Sequence, residues 1–172
     1  MRAFLSGVVV TLIALFIGAL VYFGMGLAPV AVTASPMPFE RLFAKMALHA
    51  KISREMPKSV PIAADETAYM AAVPIYRENC AVCHGLPGQP KTAIAAGEFP
   101  PPPQLFHGHG VSNDPPGETY WKVTNGIRIT GMPGFESALS TTARWQVSLM
   151  LAHSTSLPPS VQQLLAQPLP QP

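Results

Sequence analysis

Residues 80–84 read Cys-Ala-Val-Cys-His and contain both cysteines of the 172-residue chain. Two intervening residues place the two sulfur atoms within about one helical turn of each other, and a histidine follows the second cysteine directly. This C-x-x-C-H spacing is the attachment signal for c-type haem, in which each thiol forms a thioether with a haem vinyl group. The sequence therefore predicts one covalent haem c, bound through Cys80 and Cys83, with the imidazole of His84 as proximal iron ligand.

Three other uses of the two cysteines have to be weighed. A redox-active dithiol would be expected in a thioredoxin-like βαβ context, which the sequence does not show. A zinc site could combine Cys80 and Cys83 with His107 and His109, and it stays open as an alternative. A disulfide is disfavoured because two intervening residues would close a small, strained ring.

The N-terminal segment is apolar and carries no charged residue between Ala3 and Phe39. Its predicted helix, residues 4–28, exceeds the roughly 20 apolar residues that cross a bilayer and the 7–15 residues of a signal-peptide core. We expect residues 1–34 to be a single-pass transmembrane anchor in the cell inner membrane. The alternative is a signal peptide that is cleaved after Ala34.

The position of the charges predicts the orientation of this anchor. Arg2 is the only charged side chain before the apolar run, which favours a cytoplasmic N-terminus. The rest of the chain would then lie in the periplasm, the compartment that covalent haem attachment requires.

Residues 35–64 are predicted to form an amphipathic connector that contains one helix ending near Pro57. Apolar residues recur there at helical spacing, which gives a single apolar stripe: Phe39, Leu42, Phe43, Met46 and Ala50. The stripe could pack on the chain's own domain or on a neighbouring subunit. The alternative is a helix that lies on the membrane surface beside the anchor.

Residues 65–157 are predicted to be an all-α domain with long proline-rich loops and no convincing strand. Three helices are expected: residues 66–79, a segment from Pro116 to Asn125, and residues 141–153 with Ser140 as N-cap. So little regular structure makes a thin hydrophobic core, which a covalently bound haem would fill. Residues 158–172 are interpreted as a Pro/Gln-rich tail.

This domain resembles a mono-haem class I cytochrome c over residues 68–157. The features that carry the resemblance are Tyr76, residues 80–84, Pro103–Leu105, Asn125-Gly126, the segment Gly131-Met132-Pro133-Gly134-Phe135 and a tryptophan in the last helix. The resemblance implies an all-α fold in which the first and last helices cross, and His84 and Met132 as axial ligands. It also implies that the backbone carbonyl of Pro103 hydrogen-bonds the His84 ring and that Leu105 packs on the haem.

The identity of the sixth ligand can also be considered from the residues alone. A thioether sulfur is soft and neutral, so it favours ferrous iron and raises the reduction potential. Met132 is the preferred ligand, and Pro133 after it stiffens the loop. His107, His109 or an open coordination position are the alternatives.

The functional expectation is an electron carrier, because no Ser/His/Asp pattern, phosphate loop or useful carboxylate pair is present. A nucleic-acid role is excluded by charge, since acidic residues outnumber basic ones after residue 64. The predicted protein is a periplasm-facing, membrane-anchored cytochrome c that works as a respiratory-chain shuttle or as a subunit of a membrane respiratory complex. Its expected partners are the membrane and redox partner proteins. The alternative is a five-coordinate haem protein that binds a gas or a peroxide.

Overall fold

The computed structural model describes residues 1–168, and within that range all regular structure is helical, which confirms the predicted all-α class. The chain divides into two compact units, Met1–Arg41 and a unit that begins at Leu42. The helices are α1 (Arg2–Gly24), α2 (Glu40–Glu55), α3 (Glu66–Asn79), α4 (Ala81–His84), α5 (Ala93–Gly97), α6 (Pro116–Asn125), α7 (Thr141–Ala152) and α8 (Pro159–Ala166).

Helix α1 contains 23 residues, none of them buried. At 1.5 Å per residue it extends about 35 Å, compared with about 30 Å for the hydrocarbon core of a bilayer. It is therefore long and apolar enough to span a membrane. The helix ends earlier than predicted because Gly26 adopts a positive φ of 69°. The Leu27 amide then donates to the Tyr22 carbonyl at 3.2 Å, a pattern that terminates helices.

The second unit is built around the packing of α3 on α7, with α6 against α7 and α8 against α3. Helix α3 begins where Asp65 accepts a hydrogen bond from the Ala68 amide at 2.9 Å, and Ser140 caps α7 in the same way. The α3–α7 contact buries small and large side chains together, including Ala72, Tyr76 and Met150, each with 0% exposure.

Aromatic and cationic side chains join α6 to α7. The Tyr120 ring stacks on the Trp145 ring with 4.1 Å between centroids, and the Arg144 guanidinium lies 5.4 Å from the Tyr120 centroid. The same guanidinium donates to Thr124 Oγ1 at 2.9 Å. Trp145 on the last predicted helix therefore fixes α6, the helix that precedes the methionine segment.

The segment predicted to be a tail begins with a helix. Pro158 and Pro159 occupy the start of α8, where a missing amide proton costs nothing, and Val161 and Leu165 are fully buried in the core. Arg77 of α3 donates to the backbone carbonyls of Leu164, Gln167 and Pro168, at 3.2, 2.6 and 2.9 Å, and so caps the end of α8. The helical spacing of Val161, Leu164 and Leu165 is the sequence signal for this helix. The rest of the predicted tail, residues 169–172, lies outside the described residues.

Gly117 at the start of α6 gives a first test of the fold. A Cβ at this position would lie 2.1 Å from the Pro57 carbonyl oxygen, which belongs to the segment after α2. We expect Gly117→Ala to lower the free energy of unfolding of the haem-loaded protein by about 1–3 kcal/mol, because backbone has to move to admit the methyl group. Denaturant unfolding in constant detergent, followed by circular dichroism, measures this change.

Gly97→Ala is the matched control. Gly97 is also helical, and a Cβ there would meet no atom within 4 Å. Its free energy of unfolding should stay within about 1 kcal/mol of wild type. Equal losses in the two variants would contradict the close contact between α6 and Pro57.

Candidate haem site

The cysteine motif forms the single turn of α4, which follows α3 directly. The amides of Cys83 and His84 both donate to the Cys80 carbonyl, at 3.1 and 2.9 Å. Both cysteines are partly buried and line one cavity, together with His84. The local fold therefore gathers the three residues that the motif predicts as the attachment site.

Two side chains from elsewhere fix this turn. Tyr76 of α3 is buried, and its hydroxyl donates to the Gly85 carbonyl at 2.8 Å. Burial, with a smaller contribution from Cys80, raises the pKa of Tyr76, so its phenol stays protonated and able to donate. The Gln104 side chain donates to the Cys83 carbonyl at 3.2 Å. Its other amide atom, Oε1, would be 2.3 Å from a Cβ at position 85, so Gly85 leaves room for it.

The His84 ring is oriented by the proline-rich loop. Its Nδ1 atom lies 2.8 Å from the Pro103 carbonyl oxygen. Because a carbonyl oxygen can only accept, Nδ1 carries the proton in this pair. The other ring nitrogen, Nε2, then has a free electron pair, which is the arrangement found when a histidine binds a metal.

A cavity of about 240 Å³ lies beside these residues. Of the residues predicted from the sequence, Cys80, Cys83, His84, Pro103, Leu105 and Met132 all line it. His107 and His109 are exposed loop residues and do not line it. Among residues 1–168 no three Cys, His, Asp or Glu side chains are placed to bind one metal ion, so the structure offers no support for the zinc alternative.

The chemistry of the cavity fits a covalently bound haem. Its walls are mainly apolar, as the porphyrin face requires, and include Leu105, Val123 and Val147. Thr119 also lines it, and its hydroxyl is buried with no hydrogen-bond partner among the described residues. A buried hydroxyl without a partner is costly, and a polar substituent of a bound group would satisfy it.

The surroundings of Cys80 and Cys83 favour the uncharged form of both sulfur atoms. Burial, and to a lesser extent the neighbouring Cys83, raises the pKa of the Cys80 thiol to about 12. Burial together with a hydrogen bond to Glu98 raises the pKa of the Cys83 thiol to about 11. Thioether sulfur is also neutral, so attachment of both cysteines to haem places no charge in this pocket.

The segment that carries Met132 is fixed against the end of α6. The Phe135 amide donates to the Val123 carbonyl at 2.9 Å, and the Ile127 amide donates to the Met132 carbonyl at 3.1 Å. Gly126 ends α6 with a φ of 67°, and a Cβ there would lie 2.6 Å from the Gly134 amide nitrogen. The glycines in Asn125-Gly126 and Gly131–Phe135 therefore permit a close backbone crossing that brings Met132 to the cavity.

Sequence reasoning did not predict most of the other residues that line the cavity, among them Leu48, Glu98, Thr119 and Lys122. The Cys83 thiol donates to Glu98 Oε1 at 3.2 Å, and Lys122 is paired with Glu118 at 2.6 Å. Thr119 and Lys122 follow from the predicted helix at 116–125 once the face that meets the cavity is known. Leu48 and Glu98 carry no motif and could be found only from the tertiary structure.

Comparison with known families identifies the domain. The family model described as cytochrome c oxidase, cbb3-type, subunit III matches residues 67–149, just under half of the chain. The chain contains a mono-haem c-type cytochrome domain. Such a domain binds c-type haem covalently, and the single attachment motif accounts for one haem. The cytochrome domain is thus an electron-transfer domain.

A solved structure is similar to part of this chain. A chain of the reducing HAO-like protein complex of Kuenenia stuttgartiensis is 26% identical, with a TM-score of 0.48. The match covers 56% of this chain and 47% of that chain, so this chain spans less than half of that relative's length. No match is found among the curated proteins.

The attachment site can be tested by the chemistry of the bond. We expect the denatured protein to keep its haem and to give a pyridine haemochrome spectrum with both vinyl groups saturated, because Cys80 and Cys83 each form a thioether. Cys80→Ala and Cys83→Ala should each give a spectrum with one unsaturated vinyl group. Haem that extracts into acidified organic solvent from the wild type would refute covalent attachment.

Proposed function

We propose that this protein is a membrane-anchored c-type cytochrome that carries single electrons through a haem ligated by His84 and Met132. The observation that carries the proposal is the convergence of both side chains on one apolar cavity. They arrive from separate elements, α4 and the segment after α6. The Pro103 carbonyl occupies Nδ1 of His84, and so leaves Nε2 as the donor atom.

This ligand set supports electron transfer rather than binding of a small molecule. Bound haem supplies a one-electron couple, and ligation from both sides leaves no open position at the iron. Met132 lines the cavity, whereas His107 and His109 do not, which supports the thioether as sixth ligand. A neutral sulfur ligand stabilises ferrous iron, so we expect a positive reduction potential.

Met132→Ala tests the ligation. We expect this variant to lose the sulfur-to-iron charge-transfer band and to bind carbon monoxide in the ferrous state, because a coordination position opens. Its reduction potential should fall. Absorption spectroscopy with and without carbon monoxide measures the band and the binding, and redox titration measures the potential.

Met46→Ala is the matched control, since Met46 is 58% exposed on α2 and does not line the cavity. It should keep the charge-transfer band and exclude carbon monoxide, as the wild type does. Rapid carbon monoxide binding by the wild type would favour the gas- or peroxide-binding alternative instead.

The membrane part of the proposal rests on α1 and on the compartment that haem attachment requires. Helix α1 has the length and composition of a single membrane span, and Arg2 is its first residue. We propose that α1 is retained in the inner membrane, with the cytochrome domain in the periplasm. There it would exchange electrons with redox proteins, as a shuttle or as a subunit of a membrane respiratory complex.

The topology has a direct test. We expect the mature protein to retain residues 1–34, and protease added to the periplasmic side of spheroplasts to digest the haem domain. Mass spectrometry of the purified protein gives the N-terminus, and haem staining of protease-treated spheroplasts gives the side. A mature N-terminus at Ser35 would refute the anchor, and protection of the haem domain would refute the orientation.

A further inference from the structure

Helix α2 contributes a residue to the haem cavity although it lies outside the part of the chain that matches the family. The match begins at residue 67, whereas α2 ends at Glu55. Leu48 of α2 lines the same cavity as Cys80, His84 and Met132. Leu48 therefore reaches the cavity from outside the matched residues 67–149.

The placement of Leu48 is fixed by contacts further along the same helix. Ile52, one turn after Leu48, is only 2% exposed. Glu55 accepts a hydrogen bond from Trp121 Nε1 at 3.1 Å. Residues 48, 52 and 55 are separated by four and three positions, so they lie on one face of α2. That face is therefore the one that α2 turns towards the rest of the second unit.

The helix that donates the hydrogen bond to Glu55 is itself a wall of the cavity. Trp121 lies on α6, next to Thr119, Lys122 and Val123, which all line the cavity. At the start of α6, Gly117 approaches the Pro57 carbonyl so closely that any side chain would collide with it. Helix α6 is thus joined to the end of α2 by the Trp121–Glu55 hydrogen bond and to the segment after α2 by the close approach of Gly117 to Pro57. These two contacts locate Leu48 relative to the cavity.

We propose that Leu48 is a positioning residue for the haem, and that it covers one part of the porphyrin and keeps water from it. This inference rests on the haem site proposed above. Ferric haem carries one more positive charge than ferrous haem, and an environment without water disfavours the charged form. Burial of the haem is one of the factors that set its potential. Leu48 would therefore raise the reduction potential of the cytochrome domain from a segment that precedes it.

The test compares full-length variants with haem attached. In Leu48→Gln a polar side chain replaces the apolar cover, and we expect the oxidation equilibrium to shift towards ferric haem by about three- to tenfold. A tenfold shift corresponds to about 59 mV for a one-electron couple. Leu48→Met keeps an apolar side chain of similar volume, so its reduction potential should equal that of the wild type. Redox titration in detergent measures the potentials.

Leu42→Gln is the matched control, because Leu42 is on the same helix, is 52% exposed and does not line the cavity. Its potential should equal that of the wild type. Equal potentials in Leu48→Gln and Leu42→Gln would overturn the inference. If Leu48→Gln yields no haem-loaded protein, Leu48→Ala takes its place, with a shift in the same direction expected.

Two spectroscopic measurements separate this inference from the proposed function. The charge-transfer band should persist in Leu48→Gln, since Met132 is unchanged. If the band is lost together with the shift in reduction potential, the variant has lost its methionine ligand, and the inference is overturned. A wild type without covalent haem or without that band would instead refute the proposed function. If the wild type has the expected spectrum but Leu48→Gln leaves the reduction potential unchanged, only the role of Leu48 is refuted.

Discussion

The contact between the His84 ring and the Pro103 carbonyl, 2.8 Å long, joins the two parts of the chain on which the site depends. One is α4, a single turn that could not be stable by itself. The other is a proline-rich loop without regular structure. Because the carbonyl accepts from Nδ1, the ring is fixed in orientation and in tautomer at once. Gln104, the next residue, binds the Cys83 carbonyl and makes the connection a double one.

The helices around this contact form a core on one side and a cavity on the other. Helices α3, α7 and α8 pack together through fully buried side chains, whereas loops and α6 supply most of the cavity wall. A domain of this size has little apolar surface to bury. A covalently attached apolar cofactor adds buried apolar surface that the side chains alone do not supply. The unpartnered hydroxyl of Thr119 and the neutral environment of both sulfur atoms agree with that role.

Local signals were sufficient for the main helices. Ser140 caps α7 at the predicted residue, α3 begins at the predicted residue 66, and Asn125-Gly126 ends α6, because capping and glycine geometry act over three or four positions. Helix α8 was missed because its prolines were interpreted as a tail signal. Proline at the first positions of a helix is compatible with helical geometry, and burial of Val161 and Leu165 on the core stabilises the short helix.

The sequence by itself determined the chemistry: residues 80–84 specify covalent haem attachment and predict a histidine ligand, because the spacing of three reactive groups within one turn is a local property. It also determined the all-helical class and the apolar N-terminal helix. Only the tertiary structure decided which distant residues enclose the cavity. Leu48 and Glu98 reach it through helix packing and loop closure. Such contacts depend on the summed geometry of several elements, and no pattern of neighbouring residues encodes them.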